Sequence, residues 1–261
     1  MICSLDHDSH KNKPTGISGS TIKLFALFCM LIDHTAAIVL NDMISYRINT
    51  GVYDIATYQQ EPLYYIMMIM RCIGRLAFPL FCFLLIEGFS YTRNRYKYTL
   101  RLFLFSLISE IPFDYAFRHA FISFGYQNVF FTLTIGLLVL ILSEQISIHF
   151  AQNVSTHTVL QMVVLIGGAL IAQMLRTDYG AFGIVTIYIM NYFRHDRVRE
   201  YFGGCVILTL CNLMEVFTFA IYPLIKLYNN TRGWNLKYLF YAFYPVHIII
   251  LTAISYFLGY R

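Results

Sequence analysis

An all-α fold, a polytopic transmembrane helix bundle of about eight to ten spans, is predicted on three observations. Of the 261 residues 58% are hydrophobic and 13% charged, where a soluble domain has about 45–50% and roughly 25%. The apolar residues collect in runs near the length of about 20 that a bilayer-crossing helix needs. The basic residues gather in short loops between those runs, as cytoplasmic loops do in membrane proteins. A 17% aromatic share with 21 Tyr suits the same class, since Tyr settles where its ring is buried and its hydroxyl stays wet. Membrane lipid is thus an expected partner. The net charge of +5 is explained by topology and does not call for nucleic acid.

Residues 1–20, "MICSLDHDSHKNKPTGISGS", are polar and mixed in charge. They carry no apolar h-region or small-residue cleavage site, so they are read as a disordered cytoplasmic tail and not as a signal peptide. Residues 21–261 are read as one transmembrane domain. Its first span is Ile22–Leu40, opened by Lys23. Leu63–Tyr91 is long enough to cross with tilt and contains Pro79. Tyr98–Phe117 contains Pro112, and Val129–Ile146 and Val159–Leu175 follow as further spans. Tyr179–Phe193 is short. Phe202–Leu224 is interrupted by Asn212 and Glu215 and reads as one crossing or two half-crossings. Tyr238–Tyr260 contains Pro245. Each proline removes a helix hydrogen bond and frees the carbonyl four residues back, and broken helices at membrane depth are tolerated where they line a cavity.

Lys11, Lys13 and Lys23, then Arg93, Arg95, Lys97 and Arg101, then Arg194, Arg197 and Arg199 fall on one side if each of the first six spans crosses once. The N-terminus is therefore expected in the cytoplasm. Lys226, Arg232 and Lys237 would be external in an eight-span chain, which favours a ninth crossing. Cys29, Cys72, Cys82, Cys205 and Cys211 lie in or beside apolar runs, Cys3 lies in the tail, and none has metal-ligand spacing. They read as packing residues, and no metal is expected.

Ionisable residues inside the spans carry the functional signal: Asp33 and His34, Arg71, Arg75 and Glu87, Glu110 and Asp114, Glu215, and His247. Each costs about 2.5–3.5 kcal/mol at a helix centre, so the groups must face one another or a wet cavity. At about 1.5 Å per residue, His34 and Glu110 lie about 18 Å into their spans, Arg75 about 24 Å and His247 about 14 Å. These four can share one layer near the midplane. Adjacent helix residues point about 100° apart, which separates Asp33 from His34 and gives Asp33 a natural partner in Arg71 or Arg75. Buried pairs such as Asp33–Arg75 and Glu110–Arg71 can serve only to fix helix register. Imidazole titrates near neutrality, which suits His34 to general-base work. The cluster Arg93, Arg95 and Arg101 marks topology or holds the phosphates of a soluble cofactor.

The segments "LFALFCMLIDHTAAIVL", "RCIGRLAFPLFCFLLIEGFSYTRN", "YTLRLFLFSLISEIPFDYAF", "NVFFTLTIGLL", "TDYGAFGIVTIYIMNYFR" and "NNTRGWNLKYLFYAFYPVHIIIL" resemble, in order, the successive blocks of the TraX family, named for a conjugative pilin N-acetylase. The resemblance runs from about Ile22 to Leu251. It departs from the family pattern at Ala36, where Gly is expected, and at Asn229–Asn230 followed by Thr231, where "NG" is expected before "RG".

The resemblance implies a multi-pass acyltransferase of the bacterial inner membrane, related to enzymes that O-acetylate surface polysaccharides. It implies acetyl-CoA as acyl donor and a protein, peptide or glycan as acceptor. Those enzymes carry a histidine in the first span, which matches His34. On this reading His34, Asp33, Glu110 and His247 are the catalytic candidates. Arg71, Arg75, Glu87 and Asp114 are charge or oxyanion partners, and Arg93, Arg95 and Arg101 hold the CoA phosphates. Two other classes stay open on the residues themselves. One is a transporter or channel with a buried proton relay, although no two-fold repeat is visible. The other is a structural assembly protein.

Overall fold

Short polar residues start several of the helices by accepting from otherwise unpaired N–H groups of the first turn. In a computed structural model describing residues 15–235 and 237–261, Ser18 caps α1 (Gly19–His34), and a π-helical turn Thr35–Leu40 continues it into α2 (Asn41–Asn49). α3 (Pro62–Gly74) and α4 (Ala77–Tyr91) follow. Asn94, Asn128 and Asn153 cap α5 (Arg95–Arg118), α6 (Val129–His149) and α7 (Val154–Met174). α8 is Gly180–Tyr192, and Asp196 caps α9 (Arg197–Cys211). Asn212 caps a 3₁₀ segment, Leu213–Ile221, that leads into α10 (Tyr222–Lys226), and α11 is Lys237–Phe257. No strand occurs among the described residues. The tail expected over residues 1–20 lies mostly outside them.

Among the described residues, five helical stretches are long and apolar enough to cross a membrane: Gly19–Asn49, Pro62–Tyr91, Val129–His149, Val154–Met174 and Tyr238–Phe257. The other expected spans are helical without meeting both conditions. α5 has 24 residues and carries charges along its length, and α8 has 13. The Leu63–Tyr91 run is broken at Arg75–Leu76 rather than bent at Pro79, which sits in the first turn of α4 where no helix bond is lost.

The Phe202–Leu224 run is two half-passes. α9 stops at Asn212, and the 3₁₀ segment turns back along it, with Tyr201 Oη donating to the Thr218 carbonyl at 3.0 Å. The return brings the chain to the start of α1, where Ile17 N–H donates to Leu227 O and Gly19 N–H to Thr231 O, each at 2.8 Å. Residues 227–234 therefore lie at the same end as α1's beginning, and α11 sets out from that end as α1 does. An eight-span chain would put this loop at the opposite end from the start of α1, and the hairpin puts it at the same end.

α4 is the central rod, its Leu80, Cys82, Phe83, Ile86 and Phe89 all buried, with α1, α6, α8 and α9 against it. α7 is the outer wall. Its Val163, Ile166 and Leu170 face outward, while Gly168 packs so close to Val139 of α6 that a Cβ there would collide with it. Small residues at helix contacts are how membrane helices gain packing without a hydrophobic driving force.

Candidate active site

His34 ends the regular part of α1, immediately before the π-helical turn, a helix defect common at functional sites. Its Nδ1 lies 2.6 Å from Nε2 of His247 on α11. The two rings are nearly parallel, at 5°, with centroids 4.9 Å apart. His247 Nδ1 in turn lies 2.6 Å from the Phe243 carbonyl. A carbonyl only accepts, so His247 Nδ1 carries a proton. In the neutral ring this leaves Nε2 as an acceptor, and His34 must donate to it from Nδ1. The tautomers assigned in this way leave the lone pair of His34 on Nε2, the nitrogen a general base needs. Phe117 and Tyr244 meet the His34 ring edge-on at 5.9 and 5.7 Å.

Asp33 turns the other way. Arg71 Nη1 donates to its Oδ2 at 2.5 Å, and Arg75 Nη2 lies 4.0 Å from Oδ1. α3 comes this close because residue 74 is glycine, since a Cβ there would fall on the Asp33 carboxylate. Arg75 also reaches Glu215 at 3.5 Å and keeps a buried Nε with no partner. Beyond it, Tyr126 Oη donates to Asp178 at 2.5 Å. Burial raises the Asp178 carboxyl above its ordinary range, opposed by the Tyr126 hydroxyl and both arginines. Tyr126 and Tyr179 open onto a hollow of ≈ 510 Å³ at this end of the helices.

The other acidic candidates stand apart from the arginines. Glu110 accepts from Asn128 N–H at 3.2 Å and from the Asn128 side chain, bracing the start of α6. The Glu110–Arg71 pair is not formed. Asp114 accepts from Ser123 N–H at 2.5 Å and holds the α5–α6 loop. Glu87 lies a full turn or more toward the basic end, accepting from Tyr228 Oη at 2.9 Å and from Arg197 at 3.4 Å. Glu110 and Asp114 found nearer donors on a cap and a loop, which span positions alone do not show.

A cavity of ≈ 520 Å³ opens at the basic end. Lys23, Arg101, Arg232 and Trp234 line its upper part, and Leu27, Met30, Phe130, Leu133 and Tyr244 its floor. Lys23, Leu27, Met30 and His34 form one stripe of α1, so His34 lies about 16 Å from Lys23 along the same face. Arg101 and Tyr241 both line the cavity wall. Arg95 is occupied elsewhere, bound to Glu144 and, at 3.2 Å, to the Phe89 carbonyl. Arg93 is exposed and does not line the cavity. Lys23, Arg232 and Trp234 were not among the expected phosphate contacts; Lys23 carried only a topology signal, and only the basic character of the 226–237 loop pointed to Arg232.

A sequence profile of the TraX protein matches residues 18–255. The chain belongs to the TraX family. Within it, this TraX chain is 28% identical over 270 residues to the probable fimbrial assembly protein FimC, serogroup H1, of Dichelobacter nodosus, covering 92% of this chain and 97% of that one. No solved structure matches significantly.

Proposed function

We propose that this TraX protein is an integral membrane acyltransferase that moves an acetyl group from acetyl-CoA to an amine or hydroxyl acceptor. The observation that carries the reading is the cavity whose cationic mouth and apolar shaft run along the stripe of α1 that His34 continues, and whose lining includes Tyr244, a ring that touches both His34 and His247. Lys23, Arg101 and Arg232 meet the CoA phosphates, Trp234 offers a face for the adenine, and the pantetheine arm descends past Leu27 and Met30. His34 Nε2 takes the proton of the acceptor N–H or O–H as the acceptor atom bonds to the thioester carbonyl. The tetrahedral oxyanion then collapses, the C–S bond breaks, and the CoA thiolate leaves with the proton returned by His34. His247 fixes the His34 tautomer. Arg71 holds Asp33, and Arg75, with its free buried Nε–H, is the better placed cation for developing charge.

The protein sits in the bacterial cytoplasmic membrane with its N-terminus and cavity mouth inside, α5 and α8 crossing as well, in keeping with the basic loops at that end. The name of the fimbrial relative favours a surface-fibre protein as acceptor over a glycan. It also favours an assembly role without catalysis as the second reading. Purified protein given labelled acetyl-CoA separates the two. We expect saturable binding and slow thioester turnover, and His34→Ala should keep the binding and lose the turnover. An assembly protein would show neither, and alanine at Asp33, His34 and Arg75 would leave fibre assembly intact.

A further inference from the structure

One side chain belongs to both halves of this site. Tyr244 forms part of the cavity floor and also meets His34 and His247 edge-on, at 5.7 Å from each ring. It is 2% exposed. Phe130, the other aromatic group of the floor, packs against it at 4.9 Å. The Tyr244 ring therefore borders both the shaft of the cavity and the histidine pair.

The ring is held there by packing on both sides. Phe130, in the first turn of α6, backs it. That turn is itself braced, since Glu110 accepts from Asn128 and Asn128 caps the helix. On the far side of His34 the space is already filled by Phe117, with Phe113 behind it at 4.8 Å. Close-packed aromatic walls of this kind yield little to an extra methylene.

Resting on the acyltransferase reading, we propose that Tyr244, backed by Phe130, sets the length of the acyl group this protein accepts and confines it to very short acyl thioesters. The thioester carbonyl must come to the floor to meet His34. A two-carbon acyl group fits beside the pinned ring, and each further methylene is driven into it. The ring, held by its aromatic neighbours, is the barrier. Tyr244 is thus a specificity-determining residue and takes no proton.

The test compares acetyl-, butyryl- and hexanoyl-CoA with water as acceptor, reading the free thiol released. The native protein should consume acetyl-CoA at least tenfold faster than butyryl-CoA. Tyr244→Val should bring the two within about threefold, chiefly by accelerating the longer thioester. Tyr244→Phe, which keeps the ring, should keep most of the native discrimination. If Tyr244→Val does not fold, Phe130→Leu decides, with a smaller shift in the same direction. A native protein that takes butyryl-CoA as fast as acetyl-CoA overturns the proposal, as does an active Tyr244→Val or Phe130→Leu protein with the native ratio. A native protein that consumes none of the three overturns the acyltransferase reading itself.

Discussion

Asp33 turns toward α3, where two arginines meet it. His34, one residue on, turns toward α11, where its partner is an uncharged imidazole inside a ring of aromatic side chains. Around Asp33 the local chemistry is ionic and mutual: Arg71, Arg75 and Glu215 each have a countercharge within 4.0 Å. Around His34 the bonded contacts run in one direction, from His34 to His247 to the Phe243 carbonyl. The difference separates what holds helices together from what can exchange a proton. A buried ion network resists losing any one member, because the rest are left charged and unpaired. A neutral histidine pair can lose a ring and leave only a small void.

The largest expected effect is on the reaction. His34→Ala should lower thioester turnover by about 10²–10⁴-fold, the range of general acid–base catalysis, with little change in thermal unfolding in detergent. Asp33→Ala should do the reverse first, destabilising the protein by about 3–5 kcal/mol as Arg71 and Arg75 lose their shared carboxylate. Thermal unfolding of the two variants side by side checks both. Equal destabilisation would erase the distinction between the two regions.

His247→Ala comes next and sharpens the contrast within the pair. It removes the acceptor that sets the His34 tautomer and leaves the base itself. Turnover should fall on the order of a hundredfold with acetyl-CoA binding intact. A loss as complete as that of His34→Ala would mean that His247 contacts the reacting atoms itself.

The helical class and the apolar spans were legible because apolar runs and basic loops are signals that each residue carries alone. The divergence of Asp33 from His34 was legible for a similar reason, since helix periodicity fixes it before any partner is known. The partners themselves were legible only where both lay on regular helix. Asp33 with Arg71 meets that condition. Glu110 and Asp114 do not, because Asn128 and Ser123 reach them from a loop end. Glu87 failed for another reason. Depth counted along α4 does not show that the 227–234 segment folds back to place Tyr228 against it. The turn at Asn212 was visible as an interruption. Its direction was not, because a half-pass and a full crossing differ only in what the segment packs against. Tyr244 carried no signal at all in a chain with 21 tyrosines.

At the cavity mouth the same contrast between committed and free charge sets a smaller effect. Arg101→Ala or Arg232→Ala should each raise the KM for acetyl-CoA about tenfold through a lost charge-assisted contact, with kcat little changed. Steady-state kinetics on the two variants measure it. A fall in kcat with unchanged KM would move these residues from donor binding to the chemistry.

The smallest effect is expected at the arginines that the sequence put forward for the same task. Arg93 is exposed, and Arg95 is committed to Glu144 and the Phe89 carbonyl across α4 and α6. The Arg95–Glu144 pair is about one-third exposed on both sides, at 30% and 29%, where an ion pair contributes about 0–1 kcal/mol. Arg93→Ala should therefore be silent in both stability and KM. Arg95→Ala should cost at most that 1 kcal/mol and leave the KM for acetyl-CoA within about twofold of native, because freeing Glu144 adds no charge to the cavity wall. If either variant raised KM as far as Arg101→Ala does, the phosphates would rest on the α4–α5 loop. The shaft from Lys23 to Tyr244 would then lose its claim to be the donor's path.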